Sequence, residues 1–140
     1  MAPTDAKASC LYANSTRALK EAKSRGFENA VMLDGEGNVA EFATSNVFFV
    51  TGKGQVVTPA PNGTFLAGIT RARVINLLAG EGVKVEERTV RPEELDAAVE
   101  IFNTGNYGKV LPCTRYESRM LQIGKFATLA KDKYWEFAAR

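Results

Sequence analysis

One carboxylate in the stretch NVAEFATSNVFFV, residues 38–50, needs an explanation. Glu41 lies in the first of two strand-like segments, NVAEF and NVFFV, which the small polar ATS joins. Strand alternation places Glu41 at a core position or in a buried turn, where carboxylates are rare without a partner. The stretch alone favours a bulge or wide turn with Glu41 exposed. The alternative is a buried carboxylate that pairs with a cation supplied by a ligand.

Two glycine-containing segments could bind anions through backbone amides. In FLAGITRARV, Gly68, Ile69 and Thr70 stand where a helix begins, and the free N–H groups there favour a phosphate. Alternatively, Thr70 is only the N-cap and Gly68 only a turn residue. The segment lacks the Gly-Lys-Ser/Thr ending of a Walker loop. In FNTGNYGKVLP, the turn GNYG is either a nest for a carboxylate or an ordinary hairpin.

The composition restricts the acid–base chemistry that the chain can perform. Its 140 residues include no histidine, which excludes His-based triads, His zinc sites and His general bases. Proton transfer must therefore use Lys, Tyr, Asp, Glu, Cys or a cofactor. Lys7 stands just before a predicted helix and Tyr12 one turn inside it. A lysine near a chain end is usually only a solvated charge.

Charge and hydropathy indicate one globular domain. The sequence is 45% hydrophobic and 24% charged, and 18 basic with 16 acidic residues give a net charge of +2. Because the charges are interspersed, we expect neither nucleic acid nor a membrane as a partner. No apolar run has the length of a membrane span, and no signal-peptide pattern is present. Cys10 and Cys113 lack metal-site spacing, so we expect no metal and a cytoplasmic location.

The elements that position these residues alternate between helices and short strands. We predict helices over residues 9–25, ended by Gly26, and over ITRARVINLLAGEG, RPEELDAA and KFATLAKDKYWEFAA. Val74, Leu77 and Leu78 form the apolar stripe of the second helix. Strands are predicted at NAVMLD, NVAEF, NVFFV, VVTP, VKVEERTV, VEIFNTG and KVLPCTRYE. The class is mixed α and β, with mostly antiparallel neighbours.

The order and spacing of the motifs resemble one enzyme family. Lys7 and Tyr12, followed by E-x-x-x-SN-x-F, TPAPNGTFLAGITR, VEER and EELDAAVEIFNTG, resemble the class IV aminotransferases, the fold type IV group of pyridoxal-phosphate enzymes. The chain is most similar to branched-chain and D-amino acid aminotransferases, from Lys7 to about Trp135. The resemblance implies an α+β fold with a mixed, mostly antiparallel sheet, a pseudo-barrel, flanked by helices.

The resemblance also implies roles for the residues around the cofactor ring. Lys7 matches the lysine that forms the Schiff base with pyridoxal 5′-phosphate and moves a proton at the substrate α-carbon. Tyr12 matches a tyrosine that contacts the phenolic oxygen, and Glu41 matches the carboxylate that pairs with the pyridine nitrogen. Leu66 falls where an apolar side chain covers the ring. The implied reaction is transamination of branched-chain α-amino acids with a 2-oxo acid acceptor.

Four further residues match positions that hold the cofactor phosphate or the substrate. Ile69 and Thr70 match helix-start residues that bind the phosphate. Asn106 and Tyr107 fall on a turn that serves the phosphate and the substrate carboxylate. The family commonly has a threonine at the position of Asn106, but an asparagine can still donate a hydrogen bond.

The family's enzymes have a smaller N-terminal domain before the lysine, which supplies an arginine to the phosphate and walls to the substrate pocket. We therefore expect residues 1–140 to be the large, cofactor-holding domain alone, with impaired turnover. We expect a homodimer, or an assembly with a companion small domain. Two other functions stay open: a lyase similar to aminodeoxychorismate lyase, and a non-catalytic remnant or cofactor-binding domain.

Overall fold

The computed structural model describes residues 16–61, 68–105 and 109–139. Helix α1 covers residues 16–24 of the described chain. The other elements, in chain order, are β1 (Val31–Leu33), β2 (Val39–Phe42), β3 (Asn46–Val50), β4 (Val56–Pro59), α2 (Ile69–Gly80), β5 (Val85–Arg88), α3 (Pro92–Asp96), β6 (Glu100–Gly105), β7 (Lys109–Pro112), β8 (Arg115–Tyr116), β9 (Arg119–Met120) and α4 (Lys125–Ala138).

Five strands form the main sheet, in the order β5-β4-β3-β6-β7. The pairs β3–β4, β3–β6 and β6–β7 are antiparallel, whereas β4 and β5 are parallel because α2 connects them as a crossover. Two further antiparallel pairs, β1–β2 and β8–β9, stand outside this sheet. The predicted α+β class with a mixed, mostly antiparallel sheet is confirmed. Among the described strands, all three sheets are open.

The central strand β3 is buried at all of its residues and divides the core into two clusters. On one face, the rings of Phe48 and Phe102 stack with centroids 5.0 Å apart, and residues of α2 and α4 cover them. On the other face, Val47, Phe49 and Ile101 pack against residues of β2 and α3. A continuous apolar strand such as NVFFV requires cover on both faces.

Helices α2 and α4 bury different kinds of side chain. In α2, Val74 and Leu78 are buried and Leu77 is half-buried, as the helical spacing predicts. In α4, the buried residues are Ala127 and Ala130, and the larger apolar side chains of this helix are only partly buried. Small side chains at the contact allow the α4 backbone to approach the sheet closely. Among the described residues, no helix combines the length and apolarity needed to cross a membrane.

The start of α4 is capped by a side chain from the sheet. Its N-cap residue, Gly124, has no side chain that could accept a hydrogen bond from the first amides of the helix. These amides therefore need another acceptor. The buried carboxylate of Glu100 on β6 accepts N–H bonds from Ala127 at 2.5 Å and Phe126 at 3.4 Å. A Cβ atom on Gly124 would lie 2.2 Å from Glu100 Oε2. The glycine and the glutamate therefore fix α4 to the sheet together.

We expect Glu100→Gln to lower the free energy of unfolding by about 1–3 kcal/mol, since it replaces a charge-assisted acceptor and turns an amide donor toward backbone donors. Urea unfolding followed by circular dichroism measures this loss. The matched control is Glu28→Gln, which changes an exposed glutamate in the same way. Equal unfolding midpoints for the two variants would contradict the capping role of Glu100.

Candidate functional site

The structure describes three of the eight predicted site residues. Glu41 lies on β2, and Ile69 and Thr70 form the first turn of α2. The other five lie outside the described residues, and their roles stay predictions: Lys7, Tyr12, Leu66, Asn106 and Tyr107.

Glu41 is a half-buried carboxylate within a regular strand position. It faces Met32 across the β1–β2 ladder, and the irregularity of this ladder falls next to it, between Met32 and Leu33. No described residue forms an ion pair or a hydrogen bond with the Glu41 carboxylate. Burial without a compensating charge raises the pKa of Glu41 from 4.5 to about 7. The exposed-turn interpretation is therefore wrong, and the carboxylate is suited to pair with a cationic N–H group from outside the chain.

The start of α2 presents amides that its own sequence does not cap. The N-cap residue Gly68 has an extended backbone and no side-chain oxygen, and the first turn has no acidic residue. Asn46 at the start of β3 holds this end in place, because its Oδ1 accepts the Gly68 N–H at 3.3 Å. A Cβ atom on Gly68 would lie 2.8 Å from that oxygen. The amides of Ile69 and Thr70, at the positive end of the helix dipole, are thus suited to an anion.

Ile69 and Thr70 differ in their surroundings. Thr70 is buried, whereas the Ile69 side chain is 85% exposed and lies at the site's surface. The two residues at the start of α2 therefore differ in exposure, although both offer a backbone amide there.

Arg71 anchors the first turn of α2, a role that the sequence pattern did not reveal. Its side chain is 5% exposed, and its Nη2 donates to Glu87 Oε1 at 2.6 Å and to the Pro59 carbonyl oxygen at 3.1 Å. One guanidinium thereby joins α2 to the end of β4 and to β5. The arginine of the GITR motif was visible in the sequence, but its partners lie 12 and 16 residues away.

Two buried hydroxyl groups lie near the paired ends of β3 and β6. Asn46 pairs with Thr104 in the β3–β6 ladder, and Thr104 is 1% exposed. The hydroxyls of Thr104 and Ser45 have no hydrogen-bond partner within the described part of the chain. Gly105 packs against Ser45, and a Cβ atom on this glycine would lie 3.2 Å from Ser45 Cβ. The sequence analysis identified the SN pair but missed Thr104, because nothing in its local pattern marks a hydroxyl that lacks a partner.

A cleft of about 780 Å³ lies between α1 and the β7–β8 segment. Phe27, Phe42, Cys113 and Tyr116 belong to its lining, and Glu41 does not. Burial raises the pKa of the Cys113 thiol and, with nearby acidic charges, raises the pKa of Tyr116 to about 12. Both groups are therefore neutral near pH 7, and this cleft offers neither a thiolate nor a phenolate for catalysis.

Glu41 should make the stability of the ligand-free chain fall as the pH rises from about 5 to about 8. Its folded pKa of about 7 exceeds the unfolded value, so the folded state binds more protons in this window. Raising the pH therefore favours unfolding, and Glu41→Gln, which cannot ionise, should remove this part of the pH dependence. Thermal unfolding midpoints at both pH values measure the effect, with Glu28→Gln as the control. A Glu41→Gln variant whose unfolding midpoint depends on pH as strongly as that of the wild type would contradict this expectation. A large loss of stability in this variant would contradict it as well.

Comparisons with known proteins identify relatives of this chain. The family model for amino-transferase class IV matches residues 2–116. A probable branched-chain-amino-acid aminotransferase of Aquifex aeolicus is 38% identical over 131 residues, which are 93% of this chain and 42% of the relative. An aminotransferase from Brucella abortus bound to the cofactor PLP has a TM-score of 0.89 and 53% identity, over 94% of this chain and 46% of that structure.

A branched-chain aminotransferase from Thermoproteus uzoniensis, solved with norvaline, has a TM-score of 0.82 and 35% identity. The alignment covers 88% of this chain and 41% of that structure. The chain thus spans less than half the length of the three relatives described here. A family match over most of the residues, together with a shared fold at 53% identity, establishes that this chain belongs to the class IV aminotransferase family.

Proposed function

We propose that the chain is the cofactor-holding part of a pyridoxal-phosphate-dependent aminotransferase that acts on branched-chain α-amino acids with a 2-oxo acid acceptor. The observation that carries this proposal is Glu41, a half-buried carboxylate with a raised pKa and no partner among the described residues. Such a group is costly in the free chain unless a ligand supplies the missing cation.

Glu41 fits the pyridine nitrogen of pyridoxal phosphate. When bound, this cofactor withdraws electrons from the substrate α-carbon, most strongly when its ring nitrogen is protonated. A carboxylate that hydrogen-bonds the ring N–H keeps the proton on that nitrogen. The attraction between the two charges would in turn lower the pKa of Glu41 toward its ordinary range.

The start of α2 fits the phosphate of the same cofactor. The amides of Ile69 and Thr70 lie in the first turn, which has no acidic side chain of its own. Asn46 and Arg71 hold this turn from two sides, through the bonds to Gly68 and to Pro59. A turn fixed in this way binds a phosphate without losing further conformational freedom.

The residues outside the described part complete the proposal. Lys7 would carry the cofactor covalently and, once released, take the proton from the substrate α-carbon. Tyr12 would contact the phenolic oxygen, and Leu66 would cover the ring. Asn106 and Tyr107 would bind the phosphate and the substrate carboxylate. The absence of histidine agrees with a lysine as the acid–base group.

The names of two relatives support the branched-chain substrate class. The relatives from Aquifex aeolicus and Thermoproteus uzoniensis are named as branched-chain aminotransferases, the second solved with the aliphatic amino acid norvaline. We propose the same substrate class here. Walls of the substrate pocket would come from a preceding small domain or from a second protomer.

Added pyridoxal phosphate should produce a near-violet absorbance band, and borohydride reduction should then fix the label on Lys7 in a peptide map. Lys7→Arg should abolish the band, whereas the control Lys20→Arg should retain it. Label found only on surface lysines such as Lys20 or Lys131 would contradict the proposal.

The variant Glu41→Gln should still bind the cofactor but should convert it to its amine form much more slowly when leucine is added. Single-turnover absorbance measures this effect.

Residues 1–140, tested without an added small domain, should bind the cofactor weakly and self-associate. Loss of one arginine contact to the phosphate implies about tenfold to hundredfold weaker binding. Exposed apolar side chains such as Ile69, Met120 and Trp135 favour association with a second copy or with a companion small domain. Light scattering at micromolar concentrations should show more than a monomer, and adding the small domain should restore transamination of leucine with 2-oxoglutarate. A strict monomer with ordinary turnover would contradict both expectations.

A further inference from the structure

The hydroxyl group of Thr104 is buried and has no hydrogen-bond partner among the described residues. The residue is 1% exposed, and its Oγ1 has neither a donor nor an acceptor partner among the described residues. Burying a hydroxyl without a partner costs free energy, so such groups are uncommon in folded proteins and often mark a functional position.

Thr58, in the same sheet, is a buried threonine whose hydroxyl has a structural hydrogen bond. Thr58 on β4 is fully buried, and its Oγ1 donates to the Val47 carbonyl oxygen at 2.7 Å. The two threonines therefore have the same residue type and nearly the same burial, but only one of them is satisfied. Burial in this sheet does not by itself explain the state of Thr104.

Thr104 is linked to the start of α2 through Asn46. It stands directly opposite Asn46 in the antiparallel β3–β6 ladder, and residues paired in this way project from the same face of the sheet. The Asn46 side chain reaches Gly68, the residue before the first turn of α2. Thr104 is thus the direct ladder partner of Asn46, the residue that positions the α2 amides.

We propose that Thr104 is a further phosphate-binding residue, which donates its hydroxyl to the anion held by the amides of Ile69 and Thr70. This inference rests on the proposed function, since the anion would be the phosphate of the cofactor. Arg71 Nη2 already donates to Glu87 and to the Pro59 carbonyl oxygen, whereas the Thr104 hydroxyl is neutral and has no partner among the described residues. A neutral donor that lacks a protein partner can bind the anion without breaking an existing bond.

The test compares Thr104→Val with Thr58→Val in the full 140-residue chain. Both replace a buried hydroxyl by a methyl group of similar size. Affinities for pyridoxal phosphate and for pyridoxal, which lacks the phosphate, are measured by absorbance titration. Urea unfolding of the ligand-free chain is measured in parallel.

Thr104→Val should bind pyridoxal phosphate about tenfold to hundredfold more weakly, with unchanged pyridoxal affinity and an unfolding midpoint equal to or above that of the wild type. Thr58→Val should unfold at lower urea but keep the wild-type preference for the phosphorylated ligand. Thr104→Ser, which retains the hydroxyl, should restore much of that preference.

Two results overturn the inference while leaving the proposed function intact. One is a wild type that prefers pyridoxal phosphate together with a Thr104→Val variant that keeps the same preference. The other is a Thr104→Val variant that loses stability as Thr58→Val does and loses affinity for both ligands equally. A wild type that shows no preference for pyridoxal phosphate over pyridoxal would instead overturn the anion site of the proposed function, and Thr104 with it.

Discussion

Burial of β3 on both faces is the constraint on which the rest of the structure depends. Its five residues are all buried, and no single layer can cover them. The chain therefore returns α2 and α4 to one face and β2 with α3 to the other. This arrangement also positions the candidate site, because the Gly68 N–H before α2 donates to Asn46, the first residue of β3. Core packing and site geometry thus have the same origin.

Charged side chains that hold the fold together bond to other parts of the described chain, whereas two candidate functional groups do not. Glu100 accepts the first amides of α4, and Arg119 donates to the carbonyl oxygens of Asp96 and Ala98. Arg71 is neutralised by Glu87. In contrast, Glu41 and the Thr104 hydroxyl have no partner among the described residues, although both are removed from water. The free energy lost at these two positions would be recovered only when a ligand supplies the missing partners.

The two kinds of unsatisfied group differ in the ligand charge that they favour. The carboxylate of Glu41 favours a cationic N–H group, whereas the α2 amides and the Thr104 hydroxyl favour an anion. Pyridoxal phosphate carries both charges, with a protonated ring nitrogen and a phosphate. Family membership and the chemistry of these groups therefore point to the same ligand by separate routes.

The sequence by itself determined the local elements, because their signals lie within a few residues of each other. Proline at the start of α3, the glycines after α1 and α2, and the alternation of apolar residues predicted most of the elements. The prediction was wrong for KVLPCTRYE, which forms two strands, β7 and β8, and it missed β9. The motifs around Glu41 and the GITR segment, with the absence of histidine, indicated the family and its cofactor. The roles of Lys7, Tyr12, Leu66, Asn106 and Tyr107 stay predictions.

Only the tertiary structure decided which groups are satisfied and which are not. Glu100 caps a helix 26 residues further along the chain, and Asn46 meets Gly68 across 22 residues. The parallel pairing of β4 with β5, the state of the Thr104 hydroxyl and the raised pKa of Glu41 likewise depend on residues brought together by folding. Hydrogen bonding and desolvation act over a few ångströms in space, so a one-dimensional pattern does not contain them.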